Sequence, residues 1–168
     1  MPLPGTQGRL VRMRLVVATA AVILALDQAS KFLVVHMLDL GARQRIDVLP
    51  PWLNLRMAWN SGINFGLFSN SADLMRWALV VLALAIVVWV WTWVARESHN
   101  RLVMLSAGVL IGGAIGNVLD RVFYGAVADF LNMSVPGIDN PYSFNIADIA
   151  IFAGAVGLVI FTARAKTP

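Results

Sequence analysis

The chain has 168 residues, of which 59% are hydrophobic and only 13% charged, whereas an ordinary soluble domain has roughly 45–50% and about 25%. That balance excludes a soluble globular protein and predicts a single integral membrane domain over residues 1–168. The formal net charge of +4 does not indicate nucleic acid, because the basic residues flank apolar runs and form no patch of their own, and the absence of cysteine excludes disulfide and thiolate chemistry.

Four apolar runs are long enough to cross a hydrocarbon core of about 30 Å at 1.5 Å per residue, and they predict an all-α membrane protein with helices over about 13–36, 74–95, 102–122 and 144–163. Arg9, Arg12 and Arg14 precede the first run. Ala18-Thr19-Ala20 mimics a signal-peptide cleavage site but lies inside the run, which favours an anchor over a cleaved leader. Asp27 and Lys31 stand four residues apart on one helical face, where acid and amine can pair, either to orient the helix or to meet substrate. After Pro50-Pro51, the segment 52–60 alternates, with Leu53, Leu55, Met57 and Trp59 on one side and Asn54, Arg56 and Asn60 on the other. This predicts short extended, β-like structure lying at the membrane interface with its apolar side in lipid headgroups and its polar side over a cleft, with an ordinary external loop as the alternative.

Arg96 and Arg101 flank a tight turn between the second and third helices. The third spaces Gly108, Gly112 and Gly116 four apart, a stripe that lets another helix approach closely. One turn on, Asn117 faces both Asp120 and Arg121, which diverge from each other; Asp120 is expected to support backbone or a buried basic group, and Arg121 to reach a carbonyl or a lipid phosphate. The fourth helix is expected to begin at Phe144-Asn145, with Asn145 and Asp148 on one face and Asp148 in the first turn at the level of Asp129. Arg164 and Lys166 follow it, so counting positive residues predicts that both termini are cytoplasmic and that the loops over about 37–73 and 123–143 lie on the far side.

Acids beside asparagines in such apolar surroundings carry the functional signal. A charge at the centre of a membrane helix costs about 2.5–3.5 kcal/mol even on a lenient insertion scale, so an ionisable residue there reads first as part of a site. Zinc is not expected: His36 and His99 fall on opposite sides of the predicted membrane, and no His-Glu-x-x-His pattern exists. Nor do Ser30 and Lys31 form a nucleophilic pair, since helix neighbours point about 100° apart. What remains is Asp129 and Asp148, two acids from different segments that cannot both ionise easily, so one holds a proton while the other takes one from water. The positive end of the fourth helix favours ionised Asp148 and leaves the proton on Asp129. Paired intramembrane acids also suit a small proton- or ion-handling protein, and polar residues that only hold helices together would suit a lipid-binding assembly subunit.

Five ordered motifs decide between these readings: Asp27-Gln-Ala-Ser-Lys31, Asn60-Ser-Gly62-Ile-Asn-Phe65, Gly112-Gly-Ala-Ile-Gly-Asn117-Val-Leu-Asp120-Arg121, Val127-Ala-Asp129-Phe130 and Phe144-Asn145-Ile-Ala-Asp148. Together they resemble lipoprotein signal peptidase, signal peptidase II, along nearly the whole chain. The resemblance implies a monomeric four-helix aspartyl endopeptidase of the bacterial inner membrane, needing no cofactor or metal. Its implied substrates are diacylglyceryl-modified prolipoproteins, cut just before the lipid-bearing cysteine at the extracytoplasmic face, with membrane lipids as the surroundings. By motif it implies Asp129 and Asp148 as catalytic dyad, Asn60, Gly62, Asn117, Arg121 and Asn145 at the substrate cleft, and Asp27, Lys31 and Asp120 as support. The chain departs from the family pattern at Trp59, where arginine is usual, and at Ile63-Asn64, where small residues are usual. The segments 52–60 and about 134–140 are then expected to form a cradle and lid.

Overall fold

A computed structural model describes residues 4–62, 71–97 and 100–165 of the chain; Ile63-Asn64-Phe65 of the second motif and His99 lie outside the described residues. Helix α1, Pro4–Lys31, runs on into a π-helical turn, Phe32–Met37, and a short α2, Leu40–Arg43. Strands β1, Arg45–Leu49, and β2, Leu53–Asn60, follow, then α3, Ser71–Glu97, α4, Arg101–Tyr124, β3, Val127–Asn132, and α5, Ile146–Ala165. As the composition predicts, four helices are long and apolar enough to span a membrane: Met13–Met37, Asp73–Arg96, Arg101–Tyr124 and Ile146–Ala163.

α4 is the axis on which the other elements are hung. Its apolar window is 72% buried, against 17–22% for the other three helices, whose outer faces carry exposed Val, Leu, Ile, Phe and Trp suited to lipid. The predicted glycine stripe explains the close approach of α1. A Cβ at Gly108 would lie 2.7 Å from the Thr19 side chain, one at Gly112 2.6 Å from the Ala20 carbonyl oxygen, and one at Gly116 2.5 Å from Asp27 Oδ2. In membranes such small residues replace the missing hydrophobic drive with close van der Waals packing. Helix ends are closed by their own sequence: Asn100 Oδ1 accepts the Leu102 amide at 2.9 Å, and Gly125, at φ 83°, turns the chain out of α4 with its amide on the Arg121 carbonyl.

The small sheet is antiparallel in the order β1-β2-β3, with a cis Pro50-Pro51 turn between the first two strands. It departs from the sequence reading in two ways. Residues 127–132, expected within a loop, form the third strand, and the apolar side of β2 faces outward only at Trp59, not at Leu55 and Met57. Leu55 and Met57 are buried with Val34, Leu40, Ala128 and Phe130, because the π-helical turn and α2 fold over the sheet and offer a drier surface than the interface does. Register also matters: Leu55 pairs with Leu131 but Ala58 with Asp129, so β2 carries one extra residue at a bulge. Past the bulge, Ala58 and Asn60 share a face with Asp129.

The return from β3 to α5 is tied down locally. Asn132 Nδ2 donates to the carbonyls of Asn140 and Tyr142, both at 2.8 Å, and Ser134 Oγ accepts the Asn140 amide at 3.1 Å. Phe144 exchanges backbone hydrogen bonds with Leu131. The fourth helix therefore starts at Ile146, two residues later than expected, because Phe144 belongs to the sheet edge and Asn145 caps the helix.

Candidate active site

The polar residues singled out in the sequence converge on one end of the bundle, where α1, α4, β2, β3 and the start of α5 meet. Deepest lies an ion cluster. Lys31 Nζ stands 2.8 Å from both Asp27 Oδ2 and Asp120 Oδ2, and all three side chains are almost fully buried. Each acid also holds backbone of a neighbouring element: Asp27 Oδ1 accepts the Ala147 amide of α5 at 3.0 Å, and Asp120 Oδ2 the Ala128 amide of β3 at 3.1 Å. The i,i+4 pairing of Asp27 with Lys31 thus forms, and Asp120 meets both a buried base and backbone. Gln28, unassigned in the sequence, donates from Nε2 to Asp27 Oδ2 and Asp120 Oδ1, each at 3.1 Å. Its place one residue after Asp27 was the only signal that pointed to it.

In front of this cluster stand Asp129 and Asp148, linked by Asn145. Asn145 Nδ2 donates to Asp129 Oδ1 at 2.6 Å, while its backbone amide donates to Asp148 Oδ2 at 3.2 Å and its Oδ1 accepts the Asp148 amide at 2.8 Å. The last two bonds are reciprocal, a capping box built from asparagine and aspartate at the start of α5. Asn145 and Asp148 therefore share this contact because one caps the helix that the other begins, not because both stand on a helical face.

Three asparagines donate to the two carboxylates, and each amide is oriented by a group that can only donate. The Lys31 ammonium lies 3.4 Å from Asn117 Oδ1, and Asn145 Nδ2 donates to the same oxygen at 3.2 Å, which together turn Asn117 Nδ2 to Asp148 Oδ1 at 2.8 Å. The Gly62 amide lies 3.0 Å from Asn60 Oδ1, which turns Asn60 Nδ2 to Asp129 Oδ2 at 3.0 Å. The Asp148 amide does the same for Asn145. Gly62 is held at φ 94°, where a side chain is strained, and a Cβ would meet Leu79 Cδ1 at 2.7 Å. Arg121 borders the pair, donating from Nη1 to the Asn117 carbonyl at 3.3 Å, while its Nε is buried without a partner.

Asp129 is the unusual titrating group. Burial first, and the Asp148 charge second, raise its carboxyl from the ordinary 3.8 to about 6, against the opposing pull of the Asn60 and Asn145 donors and of Lys31. An anion and a neutral acid side by side can activate water and polarise a carbonyl. Among the described residues, no group of three or more His, Asp or Glu side chains is placed to hold a metal ion.

A family profile described as Signal peptidase (SPase) II matches residues 19–164. A lipoprotein signal peptidase of Methylobacterium sp. (strain 4-46) is 45% identical over 145 residues, 86% of each chain, and that of Nitrobacter hamburgensis 40% identical over 160 residues, 91% of this chain and 96% of the other. A solved bacterial membrane enzyme superposes with a TM-score of 0.74 at 25% identity, covering 90% of this chain and 94% of its own. With the profile running from α1 into the end of α5, the chain belongs to the signal peptidase II family.

Proposed function

We propose that this chain is an aspartyl endopeptidase that removes the signal peptide from prolipoproteins, cutting just before a cysteine that already bears diacylglyceryl. Family membership makes it a hydrolase and, with four apolar helices, a multi-pass protein of the bacterial inner membrane. The observation that carries the reading is Asn145, which supports a β3 carboxylate with its side chain and an α5 carboxylate with its backbone. A proton- or ion-handling role is not favoured, because the family is one of peptidases and, among the described residues, the buried acids gather at one end of the bundle with no ladder across it. Both termini are cytoplasmic, the active site lies at the extracytoplasmic end, and the chain works as one membrane domain and as a monomer.

In this mechanism Asp148, at the positive end of α5 and facing the Asn117 and Asn145 donors, is the ionised base. It takes a proton from water as the water oxygen adds to the scissile carbonyl carbon. Asp129 holds the other proton, donates a hydrogen bond to the carbonyl oxygen, and passes that proton to the amine as the C–N bond breaks. The proton gathered on Asp148 then restores the dyad. Asn60, Gly62, Asn117, Arg121 and Asn145 line the cleft, and Asp27, Lys31 and Asp120 brace it from behind.

The test incubates purified wild type, Asp129→Asn and Asp148→Asn with a diacylglyceryl-modified prolipoprotein and with the same precursor lacking lipid. Cleavage by wild type alone, and of the lipidated precursor alone, is expected. Near-normal turnover by either variant refutes the dyad.

A further inference from the structure

Two apolar cavities lie along the seam where α3 and α5 flank α4. One, of about 430 Å³, is bordered by Leu79, Ile86, Leu110 and Ala155 and ends on Asn117 and Arg121, at the edge of the active site. The other, of about 450 Å³, shares Ile86, Leu110 and Ala155 with the first and continues to Trp89, Trp93 and Thr162. Because they share three lining residues, we read the two as one groove with its waist at those residues. From Leu79 to Trp93 along α3 its length is about 21 Å at 1.5 Å per residue. At the far end the Trp89 and Trp93 rings stack with centroids 6.5 Å apart and an interplanar angle of 17°.

We infer that this groove seats an acyl chain of the lipidated substrate and that the Trp89–Trp93 pair sets how long a chain it accepts, an inference that rests on the function proposed above. Dimensions select the occupant. A signal peptide crossing the membrane is a helix about 10 Å across and needs about 20 residues to span, whereas the groove is shorter than such a span and holds only a few hundred Å³ on either side of its waist. An acyl chain is thin, and in a bilayer it covers about 15 Å, half of a ~30 Å core, and more when held straight. The mouth fits the head of the same group. Arg121 and Asn117 line the polar end of the groove, where the ester carbonyl of a lipid-bearing cysteine would lie. A second apolar groove, between α1 and α3 beside Val17, Leu24 and Trp91, reaches none of the polar residues.

Because lipid tails are as apolar as the groove, its effect is on positioning rather than on transfer out of water. A chain that fits keeps the scissile bond in register with the dyad, and one that meets an obstruction shifts it. The test compares dioctanoyl and dipalmitoyl forms of one prolipoprotein on wild type, on the waist variants Ala155→Phe and Ile86→Trp, and on Ala21→Phe in the other groove. Each waist variant is expected to lower kcat/KM for the dipalmitoyl substrate on the order of tenfold or more and to leave the dioctanoyl substrate within about twofold; Ala21→Phe changes neither. Equal loss on both substrates, or loss on neither, overturns the inference. A second readout needs no turnover: a precursor with a diazirine at the acyl terminus is expected to label the α3 segment holding Trp89 and Trp93, and labelling of α1 or of lipid alone overturns it. If the wild type labels this segment but cleaves nothing, the proposed function fails while the acyl seat stands.

Discussion

Asp129→Asn separates chemistry from folding. In the folded chain the Asp129 carboxyl is raised from 3.8 to about 6, so between those values the folded protein binds a proton that the unfolded chain has released. The stabilisation from that proton is complete below about pH 4 and is lost as pH rises through 6; at pH 7.5 a buried carboxylate opposes folding. A shift of roughly two units corresponds to about 3 kcal/mol at 1.36 kcal/mol per unit, and about 1 kcal/mol of it returns between pH 7.5 and pH 5. Asparagine keeps the shape and removes the titration. It offers one acceptor oxygen where Asp129 offers two, but Asn60 is exposed and water can accept from its amide in place of the lost oxygen, which limits that cost to about 0.5–1.5 kcal/mol. The variant is therefore expected to cleave nothing and to melt no lower than wild type at pH 7.5. Thermal denaturation in detergent at the two pH values reads the difference: wild type gains about 2–4 °C relative to the variant on moving to pH 5. If the two proteins shift in parallel, or the variant melts several degrees lower at pH 7.5, Asp129 carries structure rather than the shared proton and the reasoning fails.

Wild-type kcat/KM is expected to fall as pH rises through about 6, toward tenfold per unit beyond it, as free enzyme loses the Asp129 proton; a profile flat from pH 5 to 9 argues against a shared proton. Lys31→Met leaves Asp27 and Asp120 buried without their cation and removes one of the two donors on Asn117 Oδ1, so a loss of about 3–5 kcal/mol in stability is expected together with reduced turnover; a melting temperature within a degree of wild type contradicts the buried cluster. Gly116→Ala sets a Cβ 2.5 Å from Asp27 Oδ2, with an expected cost of about 1–3 kcal/mol, whereas Gly41→Ala, with nothing within 4 Å, is expected to melt like wild type.

Helices and acids were legible because they follow rules that act within one segment. Apolar runs of sufficient length predict spans wherever they occur, and the spacing of Gly108, Gly112 and Gly116 marks a close approach before the partner helix is known. Asp27 and Lys31 need only the helical period to meet. The parts missed depend on contacts between segments. The bulge that brings Asn60 beside Asp129 appears only once β2 is paired with β3. The apolar side of β2 looked outward because nothing in residues 52–60 reveals that Val34 and Leu40 fold over it. Asn145 read as a helical residue because the capping role depends on where Phe144 pairs, and that partner, Leu131, lies in another strand.

The three asparagines explain how a carboxylate pair is kept in so apolar a place. An arginine or lysine against each acid would fix both as anions and remove the proton the chemistry needs. An amide donates without carrying charge, so it holds position while leaving the protonation state to burial and to the second acid. Its weakness is that it can turn over and present oxygen instead. Here the turn is blocked by donors that cannot reverse: the Gly62 amide for Asn60, the Asp148 amide for Asn145, and for Asn117 the Lys31 ammonium beside the Asn145 amide so fixed. The buried ion cluster therefore acts on the proposed catalytic pair through the orientation of a neutral side chain. That is why Lys31, although 2.8 Å from two acids outside the pair, bears on the pair itself.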